Sequence, residues 1–234
     1  MKKSLKCAYL CVETLLLAAF TWADAVNRIA LSNKLKFLGI AVNTLVLLQM
    51  LAGKKRIDRC RRIVFALLLT LAADVFLILL DTHYLLGVLL FCAVECCYAA
   101  FLTDEKHRVG DICLRLGLYA AVCAVLWAMG ALDALTLASA FSMVQLSLNV
   151  LFAWARRGNT QGRTLLALGL SLFWCCDACV GLRNVGDYIA SVPSRIPMLA
   201  GAAIWWFYLP SQVLILLSLE KLLRNDTDKG NEHV

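Results

Sequence analysis

Apolar stretches of about 20 residues, the length needed to cross the hydrocarbon core of a bilayer, recur along this chain and are separated by short polar punctuation. They predict eight helices, over residues 5–25, 35–52, 62–80, 84–102, 112–130, 133–155, 164–182 and 198–220. The connections are short, none long enough for a soluble domain, and residues 221–234 form a short polar tail. The expected fold is all-α: a polytopic membrane helix bundle forming a single integral membrane domain.

Composition supports this reading. With 62% hydrophobic and 17% charged residues in 234, a soluble fold would have too little polar surface. Basic residues then orient the bundle, because Lys and Arg favour the cytoplasmic loops. Lys2, Lys3 and Lys6, the run "KKRIDRCRR" from Lys54 to Arg62, Lys106, Arg108 and Arg115, Arg156, Arg157 and Arg163, and Lys221, Arg224 and Lys229 all fall on one side of an eight-span layout. These are 18 of the 23 basic residues, against Arg28, Lys34, Lys36, Arg183 and Arg195 on the other side. Both termini are therefore expected in the cytoplasm, with the bacterial plasma membrane as the setting. Positive loops beside anionic headgroups account for the net charge of +7, so no nucleic-acid partner is called for. "MKKSLK" followed by an apolar run and "ADA" resembles a signal peptide, but Glu13 interrupts the apolar core.

The eleven cysteines suit reduced packing residues better than a disulfide framework, since ten lie in or at the ends of spans and Cys60 lies in a loop. "CDAC" at Cys176 to Cys179 has redox spacing without the βαβ context that gives it meaning. His83, His107 and His233 fall in loops or the tail. There is no phosphate loop, zinc signature or serine triad. Neither a metal nor another cofactor is expected.

What remains is a set of acids inside the apolar spans. An aspartate near a helix centre costs about 2.5 to 3.5 kcal/mol on insertion scales, which makes such residues functional candidates. Four spans carry one: Glu13, Asp74, Glu95 and Asp177. Asp74 precedes Asp81 by seven residues and Asp177 precedes Arg183 by six. At 1.5 Å rise per residue both lie roughly 10 Å below the outer ends of the third and seventh spans. Those spans run in the same direction and hold corresponding places in two runs of four, as in a parallel repeat. The two aspartates are thus expected at one depth, facing each other.

At these residues the chain resembles the lysoplasmalogenase, or YhhN, family, over roughly residues 30 to 220. "LTLAADVFLILLDTHYLLGVLLFCAVECCYAAF" is similar to the family's central signature through Asp74, Leu86, Gly87, Phe91, Tyr98 and Phe101. "ALGLSLFWCCDACVGLRN" is similar to its second signature through Gly169, Phe173, Asp177 and Asn184. "WWFYLPSQVLILLS" matches a Tyr and Gln pattern through Tyr208 and Gln212, and Lys34 stands where the family often has a lysine. Ala73 replaces the usual Gly before the first aspartate, Cys176 the usual Ser before the second, and Glu95 the histidine three residues before the tyrosine.

The resemblance implies an integral membrane hydrolase that cleaves the vinyl ether bond of a lysoplasmalogen-type lysophospholipid, releasing a fatty aldehyde and a glycerophospho-base. Two carboxyls suit that reaction: one protonates the enol ether β-carbon and the other, ionised, stabilises the oxocarbenium ion or activates water. Asp74 and Asp177 are the candidate catalytic pair. Glu95, Tyr98, Tyr208, Gln212, Asn184 and Lys34 are the substrate-binding candidates. Each buried acid has a plainer alternative, a hydrogen bond to a neighbouring helix, and the aromatic and amide residues are often packing groups. Glu13 is expected to be structural or near the inner interface. Two other classes remain. An intramembrane aspartyl protease would also use two aspartates, but "LAAD" and "WCCD" lack its Gly-x-Gly-Asp context. A small transporter or lipid-binding protein would use the acids for proton coupling or headgroup contact.

Overall fold

The computed structural model describes residues 1, 3–52, 57, 60–187 and 192–231, with side chains followed to Arg224, Asp187 excepted. Lys2, His233 and most of the basic loop (Lys54, Lys55, Arg56 and Arg59) lie outside the described residues, as does the side chain of Lys229. Among the described residues, eight helices are long and apolar enough to cross a membrane, the third only with the wide turn that continues it to Leu79. They are built on α1 (Lys3–Ala25), α2 (Ile29–Leu51), α3 (Arg61–Asp74), α4 (Tyr84–Leu102), α5 (Arg108–Ala128), α6 (Ala134–Ala155), α7 (Gln161–Asn184) and α8 (Arg195–Asn231). Their outward faces carry large exposed apolar side chains such as Leu15, Leu45, Phe65, Leu89, Trp127 and Leu151, as expected of a surface solvated by lipid.

Two boundaries differ from the sequence pattern in ways that affect the site. The expected span 62–80 is not one regular helix: α3 ends at Asp74 and passes into a π-helical turn, Val75–Leu79. There Leu80 N–H reaches the Val75 carbonyl at 2.8 Å and Thr82 N–H the Phe76 carbonyl at 3.1 Å. Such wide turns insert a residue into the ladder and re-aim the side chains around it. The second helix starts at Ile29 rather than near 35, so Lys34 and Lys36 lie inside α2. At the other end of the chain α8 continues as helix to Asn231.

Six helices close a ring in the order α2, α3, α4, α6, α7, α8, with α8 packed back on α2 and reaching across to α3. On the outside, α1 packs against α2 and α8, and α5 packs against α6. In this ring α3 and α7 stand opposite each other. The tightest seam is α7 on α8, where small residues let the two backbones approach. A Cβ at Gly169 would lie 2.8 Å from Ile215 Cγ1 and 3.1 Å from the Ser211 carbonyl oxygen, and one at Gly162 would lie 3.2 Å from the Leu222 nitrogen. Indole N–H groups stitch α6 to α7: Trp154 donates to Ser171 and Trp174 to Ser147, both at 2.9 Å. Asp133 caps α6 by accepting from the Leu135 and Thr136 amides at 2.7 and 2.8 Å, satisfying two otherwise orphaned helix-end donors.

Lys6 of α1 and Glu220 of α8 pair at 3.5 Å, which places the beginning of the first helix and the later part of the last on one face. The turns between α1 and α2, α3 and α4, α5 and α6, and α7 and α8 belong to the opposite face.

Candidate functional site

Asp74 is 2% exposed at the end of α3, where the π turn begins. Its Oδ2 accepts a hydrogen bond from the Tyr208 hydroxyl at 2.7 Å. Tyr208 is buried on α8, and its ring is packed on three sides by aromatic rings. Trp205 lies at 5.1 Å, Phe173 at 5.7 Å and Phe91 at 6.4 Å between ring centroids. Phe91 and Phe173 touch each other at 5.7 Å. Rings from α4, α7 and α8 thus form an apolar lining beside one carboxylate.

Asp177 lies four residues after Phe173 on α7, and residues at that spacing share a helix face. It lies in electrostatic range of Tyr208 and Glu95. Among the described residues no hydrogen bond to it is seen, and α3 and α7 share no packed face. Tyr208, bonded to Asp74, is the group within range of both carboxyls.

Glu95, on α4, is fully buried. The Asn149 amide donates to its Oε2 at 2.7 Å and to its backbone carbonyl at 3.0 Å, while Oε1 has no partner. Asn149 in turn accepts from Arg115 Nη2 at 2.9 Å, and Arg115 Nη1 donates to Gln145 Oε1 at 2.5 Å. A buried chain therefore runs from a cation on α5 through an amide on α6 to an acid on α4. This corrects the placement of Arg115 among the loop cations: it is 6% exposed, held inside by two amide acceptors and by the Phe152 ring 5.3 Å away. It also places Glu95 away from water and lipid headgroups.

Of the other candidates, Tyr98 and Gln212 are fully enclosed, with the Tyr98 hydroxyl and Gln212 Oε1 unpartnered. Asn184 is exposed and donates to the Val180 carbonyl at 3.1 Å, closing its own helix end. Lys34 is exposed. Two residues on, Lys36 is 9% exposed and pairs with Asp24 of α1 at 2.9 Å. Its ammonium lies 5.6 Å from the rings of both Phe20 and Trp205. The basic residue directed into the bundle from α2 is thus Lys36, not Lys34.

Glu13 is buried in the middle of α1, facing Gly39 of α2, and both its carboxyl oxygens lack partners. A turn away Tyr9 donates to Asn43 at 2.6 Å. The cysteines are free; Cys60 and Cys176 are buried, whereas Cys7, Cys11, Cys96 and Cys113 are exposed. A depression of about 460 Å³ lined by Arg157, Gly158, Asn159, Gln161, Thr164 and Leu165 lies at the start of α7, the opposite end of that helix from Asp177.

Sequence reasoning missed Lys36, Asn149, Gln145 and Arg115. The polar spacing in "SMVQLSLN" pointed to a polar stripe on the sixth span, since Gln145 and Asn149 are four residues apart. A search restricted to acids passes over amides.

A family model described as the YhhN family matches residues 7–219. No curated protein matches the chain, and no solved structure does.

Proposed function

Taking as premise that the chain belongs to the YhhN family, we propose that it is a membrane-embedded hydrolase of the lysoplasmalogenase type. It cleaves the vinyl ether bond of a lysophospholipid to release a fatty aldehyde and a glycerophospho-base. The observation that carries the reading is the buried Asp74 carboxylate. It is fixed by the Tyr208 hydroxyl at 2.7 Å against an aromatic lining, with a second aspartate, Asp177 of α7, in electrostatic range of the same tyrosine.

The chemistry distributes naturally over these groups. One carboxyl of the Asp74 and Asp177 pair is the donor to the enol ether β-carbon, and the other, ionised, stabilises the developing oxocarbenium ion and then orients or deprotonates water. Proton transfer to carbon turns the vinyl ether into an oxocarbenium ion, water adds to its electrophilic carbon, and collapse of the hemiacetal expels the glycerol oxygen as an alcohol. The surrounding rings offer apolar surface for the alkyl chain and limit the water that reaches the acids.

The test is to incubate purified protein with a panel of 1-alkenyl, 1-alkyl and 1-acyl lysophospholipids and identify products by mass spectrometry. Aldehyde release from the alkenyl lipids alone is the expected outcome. Uptake of lipid into proteoliposomes with no product, or cleavage of a peptide substrate, would replace this reading with a transporter or a protease.

A further inference from the structure

The Lys36–Asp24 pair is not needed for the proton chemistry above, yet it is joined to it by contact. Lys36 lies against Trp205, Trp205 against Tyr208, and Tyr208 holds Asp74. The pair sits at the far end of α1 and the near end of α2, on the face opposite the termini. Its members differ in access: the Lys36 side chain is 11% exposed and that of Asp24 is 40% exposed. The cation faces the bundle interior and the carboxylate faces outward. Trp22, near the end of α1, is exposed close to the pair.

We infer that Lys36 and Asp24 form a subsite for a zwitterionic glycerophospho-base, in which Lys36 takes the phosphate and Asp24 takes the cationic base. This rests on the hydrolase reading and names the residues that hold its headgroup. An ion pair matches a zwitterion because each charge lost from the protein pair is replaced by one from the ligand, so opening the pair leaves no buried ion uncompensated. The rings of Phe20 and Trp205 flank the Lys36 ammonium and limit its movement as the partner changes. With phosphate at Lys36, the three glycerol carbons run past Trp205, the vinyl ether comes to Asp74 and Tyr208, and the alkyl chain continues along Phe91 and Phe173. Lys34, two positions away and turned outward, takes no part.

The experiment separates a headgroup site from a staple between two helices. Lys36→Met should raise KM for 1-alkenyl glycerophosphocholine by about tenfold or more with a much smaller change in kcat, the size expected for one lost charge-assisted hydrogen bond. Asp24→Asn should raise KM for the choline and ethanolamine lipids but not for 1-alkenyl glycerol phosphate, which has no base. The exchanged double variant, Lys36→Asp with Asp24→Lys, restores the pair and should restore the melting temperature without restoring KM. Recovery of KM in that variant, or unchanged KM in Lys36→Met, would overturn the subsite. Equilibrium binding of lysophosphatidylcholine, which has no vinyl ether, provides a readout apart from turnover. Binding that depends on Lys36 and Asp24 in a protein that releases no aldehyde sustains the subsite and sinks the hydrolase reading. Aldehyde release with binding indifferent to both residues does the reverse.

Discussion

Tyr208→Phe is the most informative single perturbation, because it deletes one oxygen and leaves the ring. Packing against Trp205, Phe173 and Phe91 is retained, so the fold should be little affected. What is lost is one 2.7 Å hydrogen bond to Asp74. A hydrogen bond to a charged group contributes about 1.5 to 3 kcal/mol, and about 1.4 kcal/mol is tenfold in rate. If the bond serves the transition state, vinyl ether hydrolysis should fall by roughly 10- to 100-fold. Asp74→Asn, which removes the ionisable group itself, should cost about 10²-fold or more. The two are not independent, since Tyr208 acts through Asp74, and contacting residues show coupling in double-mutant cycles. In an Asp74→Asn background, Tyr208→Phe should therefore cost little further activity. Aldehyde release from a 1-alkenyl lysophospholipid, followed in all four proteins of the cycle, measures this. Full additivity of the two losses, or wild-type turnover by a well-folded Asp74→Asn protein, would refute the role given to this carboxylate.

Asp177→Asn should also lose about 10²-fold or more in turnover while its melting temperature holds or rises, a combination that a purely structural aspartate does not produce. Arg115→Met removes the donor to Gln145 and Asn149 and should lower thermal stability by about 1 to 3 kcal/mol, the cost of leaving buried acceptors unpaired, as read by thermal unfolding. Gly169→Val forces α7 from α8 at a seam with no room for a side chain, and a loss of about 1 to 3 kcal/mol by thermal unfolding is expected. Impermeant labelling of single cysteines placed near residue 4 and residue 222 should report the same side for both, with the cytoplasm as the side expected from the basic loops; labelling from opposite sides would break the even span count.

The number of spans was legible because apolar length is set by the bilayer and survives in any single sequence. So was the burial of Asp74, an acid in an apolar run with no local partner. Which lysine of α2 points inward was not legible. Lys34 and Lys36 lie two residues apart on a helix that is apolar nearly all round, so periodicity alone does not identify the packed face; the choice is made by Asp24, Phe20 and Trp205 on two other helices. Arg115 was read as a loop cation because basic residues normally mark span ends. Its burial depends on acceptors from α6, which adjoins it only after folding. The π turn also left no trace, since Val75–Leu79 is uniformly apolar and the change lies in which carbonyl each amide selects.

The wide turn after Asp74 divides its span into two parts with separate angular settings. In a regular α-helix each residue advances the chain by about 100°, so an insertion or deletion near an acid turns everything beyond it around the axis. Here the chain passes from Asp74 through a five-residue wide turn, Val75–Leu79, and then through Asp81 and His83, both with positive φ. A change of one residue in the loop that follows can be taken up by opening or tightening that turn, while α3 before it keeps its grip on the ring. The carboxylate is thereby insulated from length variation at the membrane surface, and related chains that differ in the length of this loop are expected to keep the acid in the same place.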